Sequence, residues 1–90
     1  MYIKNPVIVA QTVQNRQKVI SIEATLFTGT ETFQSKMNLE RSHTQWNLSE
    51  LLIYNHKEQR YEDITILYSQ PLLDTITEEA LHGLVSQQIA

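Results

Sequence analysis

The three histidines, His43, His56 and His82, are the side chains best suited to proton transfer or metal binding. They lie 13 and 26 residues apart, unlike the short H-x₃₋₅-H and H-E-x-x-H spacings of zinc sites. His43 and His56 could meet across strands, with Glu40 or Glu58 nearby as an acid–base partner. Because the chain also has no cysteine, the sequence predicts no metal site and no cofactor.

Other catalytic patterns are weaker still. Ser42 and His43 are adjacent, but adjacent residues of a strand point to opposite faces. The paired carboxylates Glu62-Asp63 and Glu78-Glu79 are predicted to be solvated strand surface and a helix start. Two glycines cannot build a phosphate-binding loop or a dinucleotide fingerprint. We therefore expect no enzyme, and a small His/Glu acid–base enzyme of unknown substrate is the second alternative.

Aromatic and arginine side chains are concentrated in the middle of the chain, and these residue types are enriched in interface hot spots. The predicted partner-binding residues are Trp46, Tyr54, Tyr61, Arg41, Arg60 and Phe27. The competing interpretation is that these aromatic rings fill the core, because aromatic side chains dominate core burial.

A nucleic-acid interface is the first alternative function. Tyr54 and Tyr61 could stack on bases, with Arg41, Arg60 and Lys57 contacting phosphates. The net charge of −3 and the scattered basic residues argue against it, since phosphate-backbone binders usually show a basic patch. We therefore expect a protein partner, or a second copy of the chain in a homodimer, and no nucleic acid.

Composition bounds the class of protein. Ninety residues with 41% hydrophobic content suit a single compact domain over residues 1–90. Gln, Asn, Ser and Thr make up 29 of the residues, which suits a hydrogen-bonding contact surface. No apolar run is long enough for a membrane span or for the core of a signal peptide, so we expect a cytoplasmic protein.

The first half of the chain is typical of β-strands. Segment 6–14 is β-branched, with Val7, Val9 and Val13 on one predicted face, and segment 17–28 alternates with period 2. Asn15-Arg16 is the predicted two-residue turn between them, because asparagine tolerates positive φ. Thr28-Gly29-Thr30 supplies the glycine of the next hairpin loop.

The middle of the chain predicts three further strands. Segment 32–46 is interpreted as an edge-like strand that becomes polar towards its end. Segment 47–56 fits a helix or a strand, and we expect a turn over 47–50 followed by a strand over 51–57. Segment 60–69 alternates, with Ile64, Ile66 and Tyr68 on one face, and Pro71 is expected to end that strand.

The C-terminal segment predicts a helix that starts at Thr75, with Glu78 completing a capping box. An apolar stripe at helical spacing supports it: Ile76, Ala80, Leu81, Leu84, Val85 and Ile89. Glu79, His82 and Ser86 lie opposite this stripe. Gly83 would let the helix approach the sheet closely.

These elements predict an α+β fold, an antiparallel sheet of four to five strands with one C-terminal helix packed on one face. One helix cannot cover so wide a sheet. The other face is expected to carry surplus apolar side chains: Val19, Phe27, Tyr61, Leu67 and Trp46. The predicted function is therefore a non-enzymatic protein-binding module, a small adaptor or an inhibitor of a larger assembly, which buries this face or pairs an exposed edge strand.

Overall fold

A computed structural model describes residues 2–84 as five antiparallel strands and one C-terminal helix, which confirms the predicted α+β fold. The elements are β1 (Tyr2–Gln14), β2 (Gln17–Phe27), β3 (Thr32–Ser42), β4 (Gln45–Asn55), β5 (Arg60–Asp63), a 3₁₀ turn (Thr65–Leu67) and α1 (Gln70–Leu84). Each strand pairs with its neighbour in sequence, so the order across the sheet is β1-β2-β3-β4-β5.

The turns follow the backbone chemistry of their residues. Asn15 and Arg16 both have positive φ, 51° and 66°, as a two-residue hairpin turn requires. This confirms the turn predicted between the first two strands. Gly29, with φ 102°, provides the left-handed residue of the β2–β3 loop.

The core lies between α1 and one face of the sheet, hereafter the helix-side face. Alternate residues of β2 and β3 point into it, among them Ile22, Leu26 and Leu39, none of which is exposed. The helix contributes its buried stripe: Leu73, Ile76, Thr77, Ala80 and Leu84. The predicted stripe residues Val85 and Ile89, with Ser86 opposite them, lie outside the described residues. Each large aliphatic side chain buried here contributes roughly 1.5–3 kcal/mol.

A β-bulge in β4 explains why segment 47–56 suits no simple pattern. Asn38 pairs with Glu50 but Leu39 pairs with Leu48, so Ser49 is an extra residue. The extra residue changes the parity, and both Leu48 and Leu51 reach the core. The predicted turn over 47–50 is wrong, because these residues continue the strand.

Register breaks in β1 overturn its predicted face. Pairing with β2 shifts between Lys4 and Val7 and again between Ile8 and Ala10. As a result Val7 lies opposite Glu23 on the face away from α1, while Val13 lies opposite Lys18 on the helix-side face. The expected shared face of Val7, Val9 and Val13 is therefore wrong.

Segment 32–46 does form a third strand, but its predicted place at the edge of the sheet is wrong. It provides the central strand β3, which ends at Ser42, and a turn separates it from β4. Most of its polar side chains, among them Lys36, Asn38 and Glu40, lie on the face of the sheet away from α1. The true edges are β1 and the short β5.

The expected strand over 60–69 and the expected helix start at Thr75 are both wrong. The strand stops at Asp63, and α1 begins at Gln70, five residues earlier than predicted. Pro71 lies in the first turn of the helix, where its missing N–H costs nothing. The Thr75 hydroxyl donates back to the Pro71 carbonyl at 3.0 Å, so it does not cap a helix start.

The helix contacts β1 at a glycine. A Cβ placed on Gly83 would lie 2.6 Å from Cγ of the buried Pro6, so only glycine permits this approach. This confirms the expected close contact between helix and sheet. Within residues 2–84, no helix is long and apolar enough to cross a membrane.

Candidate functional site

The six predicted partner-binding residues do not form one patch. Trp46 packs against the helix-side core, and Arg41 lies directly opposite it on β3, also on the helix side. Arg60 pairs with Asn55, two residues from core-packed Ile53, and so shares that side. Phe27, Tyr54 and Tyr61 lie on the opposite face of the sheet, hereafter the open face.

Tyr54 and Tyr61 anchor one end of a contact network on the open face. Their rings meet edge-to-face, with centroids 5.2 Å apart. The Lys36 ammonium lies 4.4 Å from the centroid of Tyr61 and 3.8 Å from a carboxylate oxygen of Glu23. The ring contact, the cation–π contact and the ion pair hold these side chains together. The charges of Lys36 and Glu23 are therefore already paired with each other.

Phe27 belongs to a second aromatic group at the β1 side of the open face. It stacks on Tyr2 with centroids 4.6 Å apart, and the Lys4 ammonium lies 5.5 Å from its centroid. Between the two aromatic groups lies a shallow depression of about 530 Å³, whose lining includes Thr25 and Gln34. Polar and apolar side chains both line this depression, so it is not a hydrophobic pocket.

The open face as a whole carries both polar and apolar side chains, without an excess of apolar ones. Ser21 donates to the side-chain oxygen of Asn38 at 2.8 Å across β2 and β3. Val19 does lie on this face, but it is already buried. Of the apolar residues expected there, Trp46 packs on the helix side and Leu67 belongs to the 3₁₀ turn. Val19, Phe27 and Tyr61 therefore lie on the expected face, whereas the placement of Trp46 and Leu67 there is wrong.

The histidines do not meet. His43 lies in the β3–β4 turn and His56 follows β4, so they occupy opposite ends of an eleven-residue strand. At about 3.3 Å per residue, such a strand separates its ends by more than 30 Å. Between Tyr2 and Leu84, no three His, Asp or Glu side chains are grouped so that they could hold a metal ion.

The large apolar side chains that are exposed fall into two groups at opposite sides of the sheet. One group follows β1, where Val9 is 51% and Val13 75% exposed. The other is the 3₁₀ turn after β5, where Ile66 is 91% and Leu67 70% exposed. Exposed aliphatic side chains gathered on a fixed backbone favour contact with another macromolecule.

The first half of β1 carries the features that protect an edge strand from unwanted pairing. It holds the charged Lys4, a proline at position 6 and two register breaks. The short β5 is protected as well, because three of its four residues are charged. The remaining edge is Ala10–Gln14, hereafter the distal edge, where pairing with β2 is regular, every residue is exposed and no side chain is charged.

The hairpin geometry identifies which backbone groups of the distal edge point outward. The two-residue turn bonds the carbonyl of Gln14 to the N–H of Gln17. Inward-bonded and outward-facing residues alternate in an antiparallel pair, so Thr12 bonds to β2 while Gln11 and Val13 face outward. A strand added at the distal edge would meet the N–H and C=O groups of these two residues.

Three cations surround this end of the sheet. Arg16 lies in the turn, and Lys18 lies directly opposite both Val13 on β1 and Arg41 on β3. Within the described part of the chain, none of the three is within 4.0 Å of a carboxylate. They therefore present unpaired positive charge beside an uncharged strand.

The 3₁₀ turn is held by hydrogen bonds to the end of the sheet. The hydroxyl of Thr65 donates to Asp63 at 2.6 Å and accepts the N–H of Leu51 at 2.8 Å. The side-chain and backbone hydrogen bonds from Thr65 lower the pKa of the Asp63 carboxyl. These contacts fix the backbone that presents Ile66 and Leu67.

Sequence reasoning missed both the distal edge and the 3₁₀ turn as candidate sites. The uncharged run from Val7 to Gln14 was available as a signal, but it identifies an edge only when the strand order is known. Comparisons with protein-family models, with curated proteins and with solved structures find no match. The functional argument therefore depends on the site itself.

Proposed function

We propose that this chain is a non-enzymatic protein-binding module, a small adaptor or inhibitor that accepts an extended segment of its partner at the distal edge. The observation that carries the proposal is the regular, exposed and uncharged backbone of Ala10–Gln14 in a sheet whose other edges are protected. Main-chain hydrogen bonds provide affinity in such strand addition, and side chains provide specificity.

The exposed 3₁₀ turn supports the adaptor form of the proposal. Ile66 and Leu67 lie on the β4–β5 side of the sheet, and the distal edge lies on the β1 side. Two separate contact features allow one small domain to touch two partners at once. An inhibitor would need only one of them.

The two alternatives have less support. His43 and His56 lie at opposite ends of β4, so the two histidines cannot act together in an acid–base enzyme. Nucleic-acid binding could use the cations Arg16, Lys18 and Arg41, but the predicted stacking residues Tyr54 and Tyr61 lie on the open face and contact each other. A cytoplasmic location and a homodimer stay predictions.

A proline substitution tests the proposal directly. Gln11→Pro removes an outward N–H without removing a bond to β2, and proline is tolerated on edge strands. The matched control, Gln11→Ala, keeps the N–H and shortens the same side chain. Both variants and the parent chain would be tagged and used to capture proteins from a nuclease-treated lysate of the native cells, with circular dichroism to verify folding.

The result expected is a protein that the parent chain and Gln11→Ala both retain and that Gln11→Pro loses. Equal capture by all three folded chains would contradict strand addition at the distal edge. Capture that disappears on nuclease treatment would favour the nucleic-acid alternative.

A further inference from the structure

We infer that the strand accepted at the distal edge is acidic, a peptide segment with a β-branched centre and carboxylates near its ends. This inference rests on the proposed function and names the chemistry of its partner. It excludes pairing between the distal edges of two copies of the chain, because a second distal edge would bring the same cations to the interface.

The charge distribution along the chain is the first support. Residues 2–22 hold three basic side chains, Lys4, Arg16 and Lys18, and no acidic one, which gives +3. Residues 23–90 hold ten acidic and four basic side chains, which gives −6. The β1–β2 hairpin is therefore a positive extension of an otherwise acidic chain, and complementary charge steers association.

The pairing of like charges is the second support. Lys18 and Arg41 are direct cross-strand neighbours, an arrangement that destabilises a sheet when nothing neutralises it. No carboxylate of the described residues reaches either cation. A carboxylate brought by a partner would offset the repulsion between Lys18 and Arg41. Binding would therefore be favoured by the loss of a contact that destabilises the free sheet.

The geometry of an added strand allows that contact. Val13 and Lys18 lie side by side on the helix-side face, and neighbouring strands are about 4.8 Å apart. A partner glutamate diagonal to Val13 on this face, at the turn end of the added strand, would be roughly 12 Å from the Lys18 backbone. The two extended side chains together span that gap, and Arg16 in the turn is closer to the strand end.

The apolar centre follows from the side chains of the distal edge. Val13 is 75% exposed, and Thr12 and Ala10 lie on the opposite face of the strand. Directly opposed β-branched side chains stabilise antiparallel pairs. Valine, isoleucine or threonine in the middle of the partner segment would cover these side chains, which have no cover in the free sheet.

The test uses three synthetic peptides with one apolar pattern and different ends. They are acetyl-Glu-Val-Thr-Val-Thr-Val-Glu-amide, the same peptide with glutamine ends and the same peptide with lysine ends. Each is titrated to millimolar concentration into the full isotope-labelled chain at low salt, and NMR follows the backbone amides of Gln11, Thr12 and Val13. The acidic peptide is expected to bind about tenfold more tightly than the lysine peptide, since each exposed ion pair contributes up to a few-fold. That advantage should shrink in 0.5 M salt.

A charge-reversal pair separates the specific cation from net charge. Lys18→Glu is expected to remove the preference for the acidic peptide, while Lys57→Glu is expected to keep it. Lys57 is an exposed cation in the β4–β5 turn, at the other end of the sheet, so both variants change the total charge equally. Equal loss in both variants would overturn the assignment to the distal edge.

The remaining outcomes distinguish a failure of the acidic-strand inference from a failure of the proposed strand addition on which it rests. If all three peptides shift Gln11 and Val13 with equal affinity, strand addition stands and the acidic chemistry is wrong. If none shifts them, both are wrong. If a single-stranded oligonucleotide shifts Arg16, Lys18 and Arg41 while no peptide protects the Gln11 and Val13 amides from exchange, the cations serve a nucleic acid and the inference is overturned.

Discussion

The close contact between Gly83 and Pro6 places α1 against the first half of β1. Gly83→Ala is the perturbation that tests it. In a helix, alanine is ordinarily more favourable than glycine by up to about 1 kcal/mol. Here the new methyl group would lie 2.6 Å from Cγ and 3.0 Å from Cδ of the Pro6 ring.

Overpacking of this kind costs about 1–3 kcal/mol, which exceeds the gain in helix propensity. We therefore expect Gly83→Ala to lower the free energy of unfolding by about 1 kcal/mol, or to lower Tm by about 4–8 °C. In a Pro6→Ala background only Cβ remains at position 6, at 4.0 Å. There the same substitution should raise the free energy of unfolding by up to about 1 kcal/mol.

Urea unfolding of the four chains, followed by circular dichroism, provides the double-mutant cycle. The expected coupling between the two sites is about 2 kcal/mol, well above the additivity error of distant sites. The cost of Pro6→Ala itself cancels in the cycle. If Gly83→Ala stabilises both backgrounds equally, α1 does not pack closely against Pro6 at Gly83, and the placement of α1 on the first half of β1 would be wrong.

Three further predictions concern the hydrogen bonds that support the sheet and the 3₁₀ turn. Ser35→Ala should lower the free energy of unfolding by about 1–2 kcal/mol, because the buried hydroxyl donates to the Ala24 carbonyl at 2.9 Å; no change in urea unfolding would count against this bond. Thr65→Ala should cost about 1–2 kcal/mol in the same assay and speed amide exchange at Leu51, whose N–H loses its partner; unchanged exchange would refute the contact. Asp63 has a lowered pKa in the folded chain, so it contributes stability above the unfolded value of 3.8 that is lost as the pH falls through the folded pKa. Asp63→Asn should therefore flatten the decline of Tm below about pH 5, and an unchanged decline would show that this carboxyl is not coupled to folding.

Local patterns predict the fold well where one rule acts alone. Period-2 alternation identifies the half-buried strand β2, and Asn15 identifies a turn that needs positive φ. Gly83 is correctly interpreted as a point of close approach. In each case a single steric or burial constraint acts on a few neighbouring residues.

Prediction fails where two constraints compete. Ser49 is an inserted residue that changes the parity of β4, so no uniform period fits the segment around it. Pro71 ends a strand or begins a helix equally well, and only the tertiary contacts of α1 choose between them. Thr75 and Glu78 have the spacing of a capping box, but the helix has already begun at Gln70, five residues before Thr75.

The candidate site is harder to predict than the fold, because an edge is a property of strand order. The chain from Val7 to Gln14 is uncharged in the sequence. Only the order β1-β2-β3-β4-β5 shows that β1 has no outer neighbour among the described residues. The aromatic residues chosen by type, such as Trp46 and Tyr61, are separated onto two faces by the pleat, which composition does not reveal.

The most direct test of strand addition at the distal edge is residue-resolved amide hydrogen exchange of the free chain and of its complex with the captured partner. In the free chain Thr12 should be protected, while Gln11 and Val13 exchange at nearly the rate of an unfolded peptide. In the complex Gln11 and Val13 should become as protected as Thr12. If Gln11 and Val13 exchange equally fast with the partner bound, the partner does not pair with the distal edge and the proposed mode of binding is wrong.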